Sequence, residues 1–429
     1  MMSDTVQIDA IAATSEETSA YPVMTGEAAW NRLKSGKPLE CVRVVGMEFS
    51  GTIDHPIEMI RVVLERPRFK TVTFARDVRF ISCLLINPRA QGPVVAEQSF
   101  QLKGCTARKW QIAEFTCRGQ FAADRTEFVG HTKFIRNRFE KDARFWEAHF
   151  SDWCEFTKCE FVGVADLRSL HAEDGFTMQD CQFQDDLLFR GATVVKKFDL
   201  SRSRFEKLLD LSKAKLHDFV YLEDIEQGAG QQFGFQNAVA ERILLRIDQL
   251  EGRIQSEQQG DYMTAMREYG LLKSVFQSLH RFDEEDWALY HFKVNQRRAK
   301  SRSWFRPWTK LMQFMDVLFL DLGCGYGTNP GRAVTTAILI MLAFAGIYAA
   351  GIHHFDISNP PLHWEATDSM ANRVLFGLMT TVSVFTSGFG GDQLKSAHGW
   401  MLLPLAVESL LGTLLWGLFV VAFSRKVIR

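Results

Sequence analysis

The chain has 429 residues, with 50 Lys and Arg against 51 Asp and Glu and a formal net charge of −1. That balance excludes nucleic acid as a partner held by bulk electrostatics, which needs a basic excess or stripe. Hydrophobic residues make up 46% and charged residues 24%, and mean hydropathy is only −0.09, so most of the chain is expected to be water-soluble, with length for roughly two to four domains.

Residues 1–20 are small, polar and acidic and predict a disordered tail; residues 21–70 are taken as an N-terminal cap. From Thr71 to Leu222 a large apolar residue, usually Phe, returns after five residues and then six: Phe128, Phe134, Phe139, Phe145, Phe150, Phe156, Phe161, Leu167, and again from Phe183 to Leu222. Neither a helix nor a flat sheet has that period. Small residues often stand two positions before the large ones, as at Ala143, Ala148, Cys154, Cys159, Ala165 and Ala192. One large and one small residue pointing inward per short face suits a narrow stacked β-solenoid. The eight cysteines have no metal-ligand spacing, which predicts thiols in a reducing compartment and no metal site.

The segment resembles the pentapeptide-repeat family, whose unit A(D/N)Lxx is matched best at Ala165-Asp166-Leu167 and in LSKAKL from Leu211. The resemblance covers about 150 residues and implies a right-handed β-solenoid over residues 71–228. It departs from the family's strict five-residue period by the recurrent sixth residue in alternate steps. Some family members mimic DNA, but the alternation of Lys/Arg with Asp/Glu here argues against that role.

After Gly228 the periodicity reads as helical, over Ala238 to Gln255 and Tyr262 to Lys300, broken at Gly260-Asp261. These predict a cytoplasmic helical hairpin linker within residues 229–308. A basic run follows, Arg297, Arg298, Lys300, Arg302 and Arg306, interleaved with Trp304, Phe305 and Trp308. It suits the headgroup layer before a membrane span, with a solvated basic helix face as the alternative. The string DLGCGYG from Asp321 to Gly327 matches the cofactor loop of S-adenosylmethionine-dependent methyltransferases. That loop needs an α/β sheet downstream. Here an apolar run follows, so the glycines are expected to shape a turn after an amphipathic helix at Leu311 to Leu322, and no enzyme is expected.

The transmembrane domain is placed at 309–429. Ala333 to Ile352 is uncharged, about the length a helix needs to cross a bilayer, and Trp400 to Phe423 holds one acid, Glu408. Arg and Lys flank the pair of spans and are scarce between them, which predicts cytoplasmic termini and an outer connecting loop in a bacterial-type inner membrane. His353, His354 and His363 in that loop offer metal or proton binding, or are ordinary interfacial histidines.

Within the loop, the helix-compatible stretch Ala371 to Phe385 leads into Thr386-Ser387-Gly388-Phe389-Gly390-Gly391-Asp392. A helix, a glycine turn and a return predict re-entry over residues 371–392, because irregular backbone at membrane depth is tolerated only beside protein or a water-filled path. Glycines let successive carbonyls face one axis and replace an ion's water shell. These residues resemble the two-transmembrane potassium-channel family, whose filter reads T-V-G-(Y/F)-G-D behind a pore helix. Thr386, Gly388, Phe389 and Gly390 match, and Thr380 and Thr381 fall in the pore helix; Ser387 replaces an aliphatic residue, and Gly391 is inserted before Asp392. The resemblance covers about 100 residues and implies a homotetramer around permeant K+ or another monovalent cation, with no further cofactor. Gly412 would be an inner-helix hinge or a close-packing position. Glu408 is expected to face protein as a polar brace behind the filter. The leading expectation is thus a tetrameric cation channel whose cytoplasmic repeat domain senses or docks a ligand or protein; the alternative is a membrane-anchored repeat scaffold without conduction.

Overall fold

The computed structural model describes residues 21–300, 325–355, 369–387 and 397–427 and four isolated positions between 317 and 323. The tail 1–20, the end of the linker, most of the expected interfacial helix and His363 lie outside the described residues. The chain divides into two compact units, one ending at Glu285 and the other running from Asp286 to Arg429.

The first unit is a β-solenoid of about ten turns. Each full coil contributes four short parallel strands. Glu127–Val129, Thr132–Ile135, Arg138–Phe139 and Ala143–Arg144 pair in register with His149–Phe150, Cys154–Thr157, Glu160–Phe161 and Ala165–Asp166 of the next coil. The alternation of five and six is the half-coil. Backbone in the left-handed region recurs at every eleventh residue, at Arg125, Arg136, Glu147, Lys158, Ser169, Asp180, Gly191, Arg202 and Lys213. Each falls in a five-residue step, where the chain must turn most tightly, and none is β-branched, the class that tolerates positive φ least. At one of the two corners Ala148 N–H donates to the Phe145 carbonyl at 3.1 Å, and Ala192 repeats the bond to Phe189 at 2.9 Å; with a positive φ at the third residue this is the pattern of a type II turn. The sixth residue of the longer steps is therefore part of the coil, not an irregularity in it.

Identical residues one coil apart stack in the interior. The rings of Phe128 and Phe150 lie 4.7 Å apart, Phe134 and Phe156 4.4 Å, and Phe183 and Phe205 4.9 Å, all nearly parallel. Small polar residues at the corners close the remaining space: Ser203 Oγ donates to the Met178 carbonyl at 2.7 Å and accepts from Cys181 N–H at 2.9 Å. The thiols of Cys83, Cys105 and Cys159 likewise donate to carbonyls of the preceding coil. Burial pushes the Cys117 thiol up to about 12, so it stays protonated and inert at neutral pH. Outside, charges pair between coils, as in Arg125–Glu147, Arg202–Asp180 and Lys207–Asp185. That register gives the solenoid a mixed surface rather than a field of one sign.

Two boundaries differ from the sequence reading. Solenoid strands already begin in the expected cap, where Val44 pairs with Leu64 and Leu64 with Leu85; these first coils are shorter, and this column holds Val and Leu where Phe128 stands two coils on from Leu85, although Phe49 and Phe69 already stack at 4.6 Å. The actual cap is helix α1, Gly26–Lys34, N-capped by Thr25, which lays Trp30 edge-on against Phe49 at 5.2 Å. Gly26 is required there, since a Cβ would stand 2.8 Å from the Gly46 carbonyl oxygen. At the other end, Ala238 to Gln255 is not a helix: Val239–Leu244 is a strand paired with Lys215–Tyr221 across a register shift. The apolar positions of that segment have helix-like spacing, and the open edge of the last coil overrides it by offering unpaired backbone groups.

Two short helices, α2 (Ile247–Leu250) and α3 (Gln255–Gln258), then lead into α4, Tyr262–Ser278. Gln249 caps the last turn by donating to the Leu222 and Glu223 carbonyls at 3.0 and 2.9 Å. Glu268 of α4 is buried, accepting from Phe235 N–H at 2.7 Å and from the Ser256 hydroxyl. The long second helix expected over Tyr262 to Lys300 is two, since His280 adopts φ 55° and α5 begins again at Phe282–Ala299.

Among the described residues, the second unit holds most of α5 and three further long helices, α6 (Pro330–Ala350), α7 (Met370–Ser387) and α8 (Leu402–Val427). Asn329 caps α6 through Gly331 N–H at 3.0 Å, and Pro330 opens it, the position where a missing N–H costs nothing. α6 and α8 are long and apolar enough to cross a membrane. Much of their apolar surface is exposed, including Leu339, Leu342, Leu403, Leu410 and Val421.

Candidate functional site

The site is the packing of α7 against both apolar helices. Two glycines set the distances. A Cβ on Gly377 would lie 2.2 Å from the Ala345 carbonyl oxygen of α6, and one on Gly412 of α8 would lie 2.7 Å from the Phe385 carbonyl oxygen of α7. Gly412 therefore occupies a close backbone crossing, while Gly417 has nothing within 4 Å of such a Cβ. Small residues let apolar helices approach this way.

At the centre of the three helices Glu408 is fully buried. Its carboxylate accepts from Tyr348 Oη of α6 at 2.5 Å and from Thr381 Oγ1 of α7. A buried carboxylate without donors is among the costliest groups a protein can hold, so both oxygens being met by hydroxyls accounts for an acid in an apolar span. Thr380 and Thr381 are both buried, Thr381 bonding Glu408 directly. Around them Tyr348, Val384, Met401 and Leu405 form an apolar core with Phe355 and Ala397.

The ends of the α7-bearing loop meet. Phe355 and Ala397 form an antiparallel bridge, His398 N–H donates to the His354 carbonyl at 2.8 Å, and Trp400 Nε1 donates to His354 Nε2 at 3.1 Å. His354 is thus committed to a tie between the ends of α6 and α8. Phe385, by contrast, reaches Gly412, ten residues into α8, or about 15 Å along a helix at 1.5 Å per residue. The far end of α7 therefore lies beside α8 at Gly412.

Thr386 and Ser387 close the last turn of α7, two residues beyond the expected helix end; Thr386 Oγ1 donates back to the Val382 carbonyl at 2.7 Å, which satisfies the hydroxyl within the helix. Gly388, Phe389, Gly390, Gly391 and Asp392 lie outside the described residues.

The glycine string before α6 has a local role. Tyr326 sits at φ 56° in the turn Gly325–Gly327. Asp321 accepts from Arg297 at 2.7 Å and from Tyr290 Oη at 2.9 Å, and Arg297 also donates to Tyr326 Oη at 2.9 Å. Beside them Lys293, Arg297, Lys300, Leu418 and Val421 line a cavity of about 390 Å³. Arg425, near the end of α8, pairs with Asp286 of α5 at 3.1 Å.

The sequence reading named Glu408, Thr381 and Gly412, which the structure places in this helix packing, and did not name Tyr348 or Gly377. The signal for Tyr348 was there: a tyrosine in an otherwise apolar span needs a partner for its hydroxyl.

Comparison with known protein families, with curated proteins and with solved structures returns no match.

Proposed function

We propose that the chain is a homotetrameric, potassium-conducting cation channel of a bacterial-type inner membrane, with both termini cytoplasmic and the solenoid as its sensing or docking domain. The observation that carries the reading is the depth of α7: its end rests on Gly412, while the loop holding it starts and finishes at the Phe355–Ala397 bridge. A helix that descends between two spans and a chain that climbs back is the arrangement a re-entrant pore loop requires. The TSGFGGD string follows in sequence, with its Thr386 and Ser387 in the last turn of α7. In this reading its carbonyls form one quarter of an ion-coordinating ring, and four copies complete it. Glu408 braces the pore helix by tying Thr381 to Tyr348, holding the filter's support at a fixed distance from both spans. Lys300, immediately after α5, would face the cytoplasmic headgroups.

Planar-bilayer recording of the purified protein tests this reading with a Gly388→Val variant. Conduction in the parent and its loss in a variant that still inserts and assembles supports the pore; equal conductance in both rejects it.

A further inference from the structure

The solenoid carries a cluster of side chains that neither its packing nor the pore reading uses. His149 and His171 are register partners on successive coils, their rings 5.2 Å apart, and Glu173 stands two residues beyond His171 with its Oε1 3.0 Å from His149 Nε2. One ligand atom from each lies within 4.8 Å of the other two. His149 is half-buried; His171 and Glu173 are exposed.

We infer that His149, His171 and Glu173 form a binding site for a divalent transition-metal ion of the zinc class on the face of the solenoid. Two imidazole nitrogens and one carboxylate oxygen suit Zn2+ or its neighbours rather than Mg2+ or Ca2+, which demand oxygen ligands. Bond lengths of about 2.0–2.2 Å require the three atoms to close by roughly 1 Å, a movement within reach of the exposed side chains. Adjacent parallel strands lie about 4.8 Å apart, so a histidine repeated at one register position places two imidazoles where one ion bridges them. Three protein ligands leave a coordination position open to water or a small anion. The ion would clamp one coil to the next and supply the solenoid with a chemical input.

An ordinary ion pair is the competing explanation, and His131 shows what one looks like: it faces Glu155 at 3.2 Å with Lys133 on the same carboxylate, a cation that repels a metal. The proposal does not depend on the pore.

Zn2+ titrated into the untagged full-length protein in detergent micelles, in competition with a chromogenic chelator, tests it. The expected result is one saturable site per chain, weakened at least about tenfold in His149→Ala and in His171→Ala and unchanged in His131→Ala. Zn2+ should also raise the unfolding temperature of the parent but not of the two site variants. No saturable binding, or binding and thermal shift that His171→Ala leaves intact, overturns the site.

Discussion

Tyr348 of one apolar helix and Glu408 of the other, 60 residues apart in sequence, share a hydrogen bond of 2.5 Å that Thr381 completes from the helix between them. Replacing Tyr348 with Phe, or Thr381 with Val, leaves one carboxylate oxygen without its donor. Each change should cost about 1–3 kcal/mol, seen as a lower unfolding temperature in micelles. The double variant should lose less than the sum, because both hydroxyls serve one group. Full additivity would mean that the two bonds are independent and that Glu408 is no common brace.

Gly412 and Gly417 stand in the same helix with different surroundings. Gly412→Ala pushes a methyl to 2.7 Å from the Phe385 carbonyl oxygen, whereas Gly417→Ala meets nothing within 4 Å. The first should destabilise by about 1–3 kcal/mol and the second be neutral or slightly stabilising. Equal behaviour in unfolding assays would point to backbone flexibility, not close packing, as the reason for Gly412.

Burial raises the Glu268 carboxyl above the usual glutamate range, against the opposing bonds from Ser256 and Phe235 N–H. Because the folded state holds this proton more tightly than the unfolded chain, Glu268 contributes stability that is full below the unfolded value and is lost as pH rises through the folded one. Glu268→Gln should flatten that part of the stability–pH curve between mildly acidic and neutral pH. Unfolding profiles of parent and variant that stay parallel over this range would contradict the assignment.

Phe156 lies fully buried in the stack with Phe134 at 4.4 Å. Truncation to Ala should cost about 3–5 kcal/mol. Lys158, at φ 54°, should resist replacement by Ile by about 1–2 kcal/mol while accepting Gly. Denaturant unfolding of the three variants ranks them: Ala at 156 worst, Ile at 158 next, Gly at 158 least affected.

Much of this was legible in the sequence because the repeat is written in one residue type. Phe128 to Phe205 marks the coils, and two steps of five with two of six make the 22-residue separation seen between Cys181 and Ser203. Where Val44, Leu64 and Leu85 replace Phe, the same architecture becomes indistinguishable from other short apolar runs. The strand Val239–Leu244 was hidden for another reason: only the edge of the preceding coil decides between its two possible periods. Glu408 announced itself as an acid in an apolar span. Tyr348 shows in the sequence only as a tyrosine in an apolar span, without naming its partner, and the crossing at Gly377 does not show at all, since both pairings take meaning only once three helices separated by long stretches of chain are packed together.

The proposed conduction is measured most directly as ion flux from liposomes holding the purified protein, with potassium and sodium gradients compared. Potassium flux well above sodium flux is the predicted result, with Ser387 and the additional Gly391 tolerated in the filter. No flux of either ion across several lipid compositions, from protein that is folded and inserted, would contradict it and leave a membrane-anchored solenoid scaffold in its place.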